Sequence, residues 1–307
     1  MKFSTATLCF LVLLAPAWSP LAVSQSAQAK CFTFTSIDPP DSDGTWAWGI
    51  NASGAIVGGY YAGDPSLPGH VHGFLLSDGI YTQLDFPGAV DTDSARGINA
   101  AGQIVGYFFE TVGSPQEGFL YSDGRYTRID YPNAGFSEAR GINAAGTIAG
   151  LYFNNRRGAT RGFLLSGGHF SSFNFPGAYR SLGKAINSTG DIVGRYDDFG
   201  GAQHGFLLHR GQYTAIDVPG ASLTIAGAIN DRGEIVGRYV AADMQHGFLL
   251  SKDGIFTSVD FPRASSTDAT GINSRGDIVG TYTDSVTSKS HGFLLRQRKA
   301  SELECRG

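Results

Sequence analysis

The sequence predicts an all-β fold: a six-bladed β-propeller with four-stranded blades, its ring closed by an N-terminal strand that completes the last blade. Three observations predict it. A core phrase recurs six times, as GINASGAIVG, GINAAGQIVG, GINAAGTIAG, AINSTGDIVG, AINDRGEIVG and GINSRGDIVG, with asparagines at 51, 99, 143, 187, 230 and 273. A second phrase, GFLL or GFLY, recurs with glycines at 73, 118, 162, 205, 247 and 292. Each period of 43 to 48 residues holds four strand-like runs between turn signals, the repeat length and strand count of a propeller blade.

Strand A of each unit ends at the Asn of GIN. An Asn-x-x-Gly turn follows, because Asn bonds its own turn through its side chain and Gly accepts positive φ. Strand B is the IVG-x-Tyr run, which feeds a loop of variable length: GDPSLPGHV, ETVGSPQ, NNRRGAT, DDFGGAQ, AADMQ and TDSVTSKS. Strand C is GFLL, and strand D is the phrase IYTQLDFP, RYTRIDYP, QYTAIDVP or IFTSVDFP, stopped by Pro, which has no donor. A single blade cannot bury both faces, so blades must stack around an axis. The sixth copy has A, B and C phrases but no D phrase. Its partner is the orphan Phe34-Thr35-Ser36-Ile37-Asp38, so the two ends of the chain share one sheet and the ring has no exposed edge.

Residues 1–29 read as a secretory signal peptide: Lys2, the apolar run Leu8 to Trp18, and the small-x-small site Ala27-Gln28-Ala29. Residues 30–296 are the propeller and 297–307 a polar tail. No later apolar run approaches the ~20 residues needed to cross a bilayer, so a secreted, extracellular or periplasmic protein without membrane insertion is expected. Cys9 leaves with the leader. Cys31 then stands level with the turn after the last strand C, and Cys305 lies eight residues beyond Gln297, so a Cys31–Cys305 bond is expected to latch the ring. The entropic model allows such a bond on the order of 5 kcal/mol.

The chain carries 23 Lys and Arg, one of them Lys2, against 27 Asp and Glu. That balance argues against a general nucleic-acid binder, which would carry a strong basic excess. The phrases GIN-x-x-G-x-IVG-x-Y and HGFL resemble the HAF-type extracellular repeat family, named for a His-Ala-Phe triplet; here His-Gly-Phe stands in four copies. The resemblance spans residues 31–296 and implies an exported repeat protein, with no catalytic residues to carry over.

His72, His204, His246 and His291 share one repeat position, opposite Asp85, Asp217, Asp260 and Asp38 in hairpin register, so each is expected to tie strand C to strand D, with no metal called for. Arg161 faces Asn174, and Glu117 faces Asp130, a pair that needs a proton, water or cation between them. Asp41-Ser42-Asp43-Gly44 lacks the further ligands of a calcium loop. The residue before GIN or AIN is Trp48, Arg96, Arg140, Lys184, Gly227 and Thr270 in turn. Strand A is innermost, so three adjacent blades bring cations to one mouth of the channel, with Trp46 and Trp48 beside them and Arg195 and Arg238 extending the basic character.

These residues predict a binding or interaction module for an anionic or carbohydrate ligand, or for a surface protein. The competing classes are a propeller hydrolase or lyase acting on extracellular glycans or esters, and a structural module without a small ligand. Against an enzyme, the chain has no G-x-S-x-G or H-E-x-x-H motif, and SKDGIFTS at 251–258 lacks the spacing of a sialidase Asp-box. No cofactor is expected, and the protein is expected to be a monomer.

Overall fold

The computed structural model describes residues 5–10, 30–63 and 69–299, with backbone alone at 5–10, 30–31, 92–93 and 297–299. Residues 64–68, within the first variable loop, lie outside it. The described residues form six antiparallel sheets arranged as a six-bladed propeller. In blade 1, Gly44–Ile50 lies innermost, followed outwards by Ile56–Tyr61, Val71–Ser77 and Ile80–Leu84. Blades 2 to 5 repeat this order over residues 91–129, 134–173, 180–216 and 223–259.

The last blade runs Ala264–Ile272, Ile278–Asp284, Ser290–Lys299 and then Lys30–Ile37, so the opening strand completes it. Phe34 pairs with Leu295, as Tyr81 pairs with Leu76 in blade 1, which makes the N-terminal strand the sixth strand D in register as well as in order. The ladder continues to Lys299, taking in the first residues of the polar tail. Thr5–Phe10, inside the segment read as a leader, adds a fifth strand outside Lys30–Ile37. Cys31 stands opposite Arg298 in this ladder, and Cys305 lies outside the described residues.

The core is distributed between blades. The Phe of every GFLL phrase is at most 1% exposed, and shares a cluster with apolar side chains of the neighbouring blade, as Phe163 does with Val105 and Ile129. Residues just after strand D add a second seam. Phe86 stacks on Phe108 of the next blade at 3.8 Å, Tyr131 on Tyr152 at 3.6 Å, Phe175 on Tyr196 at 3.8 Å and Phe261 on Tyr282 at 3.6 Å.

The asparagines do more than form turns. Each Oδ1 accepts from its own turn, as Asn143 does from Ala145 and Thr147 N–H, while each Nδ2 donates to the carbonyl of the next blade's Asn. The series runs 51 to 99, 99 to 143, 143 to 187, 187 to 230, 230 to 273 and 273 back to 51, at 3.0 to 3.3 Å. A closed circle of six hydrogen bonds therefore lines one end of the channel.

Candidate functional site

The other end is shaped by a backbone irregularity that every blade shares. In blade 1 Ala47 pairs with Gly58 and Gly49 with Val57, leaving Trp48 as an extra residue on the innermost strand. The same shift leaves Arg96, Arg140, Lys184, Gly227 and Thr270 unpaired in the other blades. A β-bulge bends its strand and re-aims the extra side chain. Here the six bulged residues Trp48, Arg96, Arg140, Lys184, Gly227 and Thr270 line one cavity, together with Ile225 and Asp268.

The bulge also explains the Gly of IVG. A Cβ on Gly150 would fall 2.7 Å from the Phe163 ring and closer still to the Glu138 carbonyl oxygen of the bulged strand. Glycine is required there by the close approach of the bulged backbone and the core Phe rather than by a turn.

The cavity is electrostatically lopsided. Arg140 Nε donates to Glu138 at 2.9 Å, Arg238 Nη1 to Asp268 at 3.0 Å, and Arg195 Nε lies 3.0 Å from Asp197, which Arg180 also reaches. Arg96 and Lys184 have no carboxylate within ion-pair distance among the described residues. Arg96 instead lies 3.9 Å over the Trp48 ring and donates to the Tyr107 hydroxyl at 2.7 Å. Trp48 Nε1 and Arg96 Nε are buried donors with no acceptor among the described residues.

Lys184 is half-buried and lines the channel. Burial, with Arg140, Arg238 and Arg96 around it, holds its ammonium well below the usual lysine value, against the pull of Asp268. Burial likewise lowers Arg195, opposed by Asp197 and helped by Arg180 and Arg238. The mouth thus holds more positive charge than its own carboxylates balance, in a chain of net charge −4.

The structure brings Trp48, Arg96, Arg140 and Lys184 together. Arg195 and Arg238 stand one strand further out, beside the paired carboxylates. Trp46 turns away from the cavity and packs edge-on against Tyr61 at 4.5 Å. Sequence reasoning left out Glu138 and Asp268, the counter-ions of the mouth. Both occupy the repeat position of Trp46, two residues before the bulge, which is the signal that could have found them.

The histidine pairs form as expected: His72 with Asp85 at 3.0 Å, His204 with Asp217 at 2.9 Å, His246 with Asp260 and His291 with Asp38 both at 3.1 Å. Each ring also packs against the Tyr of IVG-x-Tyr. The hydrogen bond His291 makes to Asp38 raises its pKa above the ordinary histidine value. Arg161 departs from the pattern. Its guanidinium donates to the Tyr179 carbonyl at 2.6 Å instead of to Asn174, whose amide turns to the Phe175 carbonyl.

The expected bridge between Glu117 and Asp130 is not what forms: Arg128 donates to Glu117 at 2.7 Å and to Glu110 at 2.8 Å, joining those two carboxylates instead. Burial still raises both Glu117 and Asp130, with Arg128 opposing. No group of three or more His, Cys, Asp or Glu is placed to hold a metal among the described residues.

No family model matches the chain, and no curated protein matches it. Solved structures do. TolB from Acinetobacter baumannii is 13% identical, over 85% of this chain and 66% of that one, at a TM-score of 0.52. The β-propeller domain of the Trilobed protease from Pyrococcus furiosus, described as having an open velcro topology, is 10% identical over 97% and 91%, also at 0.52. Aleuria aurantia lectin, solved with Fucα1-6GlcNAc, is 10% identical over 85% and 96%, at 0.50. No helix of the described residues is long and apolar enough to cross a membrane. At these identities the likeness establishes the architecture alone: the chain is a six-bladed β-propeller.

Proposed function

We propose that this chain is an exported repeat protein of the HAF type that acts as a binding module, taking an anionic or carbohydrate ligand at the bulged mouth of its channel. One observation carries the reading. Six in-register bulges bring the residue before each GIN or AIN to one cavity, where Arg96 and Lys184 lack carboxylate partners among the described residues and an indole is at hand. Uncompensated positive charge inside a concave, partly desolvated site attracts anions more strongly than the same charge on an open surface. A ring built for packing alone would gain by pairing or replacing those two cations, as it pairs Arg140 with Glu138. The signal-like leader supports export, and the lectin among the similar folds is compatible with a carbohydrate ligand.

The test is retention on a glycan and polyanion array. Replacing Arg96 with Ala and Lys184 with Met leaves the Arg140, Arg195 and Arg238 pairs intact. Retention of an anionic ligand should fall at least about tenfold, the loss expected for one charge-assisted contact. Unchanged retention by a folded double variant would remove the mouth as the binding site.

A further inference from the structure

The channel below the cationic mouth is built in tiers of contrasting chemistry. Two residues after each bulge stands an isoleucine: Ile50, Ile98, Ile142, Ile186, Ile229 and Ile272. Between bulge and isoleucine the tier is Gly49, Gly97, Gly141, Ala185, Ala228 and Gly271, with no polar side chain. Neighbouring strands approach so closely here that a Cβ on Gly97 would lie 2.7 Å from the Arg140 carbonyl oxygen. One continuous cavity joins the bulged tier to the isoleucine ring.

The far side of that ring offers a polar ligand little. Every Asn Oδ1 accepts from its own turn, every Nδ2 donates to the next blade, and the six asparagines are only 3–6% exposed. The isoleucines keep 7–9% of their surface uncovered, and they border the lumen above and below. Anything that enters by the mouth therefore meets a collar of hydrocarbon next.

We infer that the ligand is an amphiphilic carboxylate, its oxyanion held at the tier of Arg96 and Lys184 and a short apolar tail directed into the isoleucine ring. This rests on the anion reading of the mouth and narrows it. The two tiers are separated by two residues of strand, about 7 Å, which a tail of about five or six carbons spans. Each methylene moved from water to the collar should tighten binding about fourfold. A purely hydrophilic anion of similar size leaves the collar wet and gains nothing from it.

Calorimetric titration of the full chain with acetate, butyrate, hexanoate and octanoate, beside glucuronate and hexanol, tests both parts. The expected result is a dissociation constant that falls about fourfold per methylene to hexanoate and then levels off, with glucuronate and hexanol both weaker than hexanoate. Anions that all bind equally, glucuronate included, would overturn the apolar tail and leave the mouth reading standing. Hexanol as tight as hexanoate would overturn the oxyanion contact. Silence across every anion would overturn both.

Discussion

At the scale of single residues, Lys184 is the position where stability and binding pull apart. Its ammonium sits among three arginines and is held below the ordinary lysine value, so the folded chain binds a proton there less readily than the unfolded chain does. Stability should therefore rise with pH between that lowered value and the ordinary one, because the unfolded state carries the extra proton across that window. Lys184→Met removes the buried charge while keeping the length of the side chain. The variant should melt a few degrees higher at neutral pH, should lose that upward slope with pH, and should bind anions worse. A thermal melt at several pH values reads the first two. A variant that melts lower at neutral pH would mean that Lys184 has a structural partner and is no stored cost.

At the scale of elements, the repeated Asn couples a turn to a ring. A turn needs an acceptor alone, and Asp would supply one as well as Asn. The ring also needs the Nδ2 donor, which in Asn143 reaches the Asn187 carbonyl at 3.1 Å. Asn143→Asp keeps the turn acceptor but faces a buried carbonyl with a carboxylate, and Asn143→Ala loses both contacts. Each should cost about 2–4 kcal/mol in urea unfolding, the order expected for buried groups left without partners. Asp as stable as wild type would show that the circle of hydrogen bonds contributes nothing. The bulge is the companion device. It gives up one ladder pair per blade and in return turns a side chain that would otherwise pack between blades into the channel.

At the scale of the whole molecule, closure decides stability. The opening strand places Phe34 and Ile37, 7% and 3% exposed, into the last two blade interfaces, and Ser36 bonds the Tyr282 hydroxyl at 2.8 Å. Removing residues 1–29 leaves the last blade with the same four strands as the others. That form should melt cooperatively and bind as the full chain does. Removing residues 1–38 strips the closing strand, exposes the edge of Ser290–Lys299 and should abolish cooperative melting or drive aggregation. Equal melting of the two forms would mean that the seam is dispensable. The Cys31–Cys305 bond expected from the sequence would belong to the same seam, since Cys31 stands opposite Arg298 and Cys305 follows seven residues later in the sequence. Non-reducing peptide mapping of the native protein should recover the two cysteines as one cross-linked peptide; two free thiols would dispose of the latch.

The sequence by itself determined the number of blades, the order of strands within each, the displaced closing strand and the histidine–aspartate ties. All of these follow from local periodicity and hairpin register, which a repeat writes out six times. It also placed Arg96, Arg140, Lys184 and Trp48 at one mouth, because the innermost strand is set by closure. Only the tertiary structure decided which cations are balanced. Glu138 pairs with Arg140 inside one blade, whereas Asp268 pairs with Arg238 from the blade before, at a separation of 30 residues. Trp46 could not be told from Trp48 by position. Adjacent strand residues but one face the same way unless a bulge intervenes, and the bulge exists only in the pairing between strands. The asparagine circle was hidden for the same reason. Its turn half is local and legible, while its ring half is a contact between blades about 43 residues apart, which no period in a single chain can display.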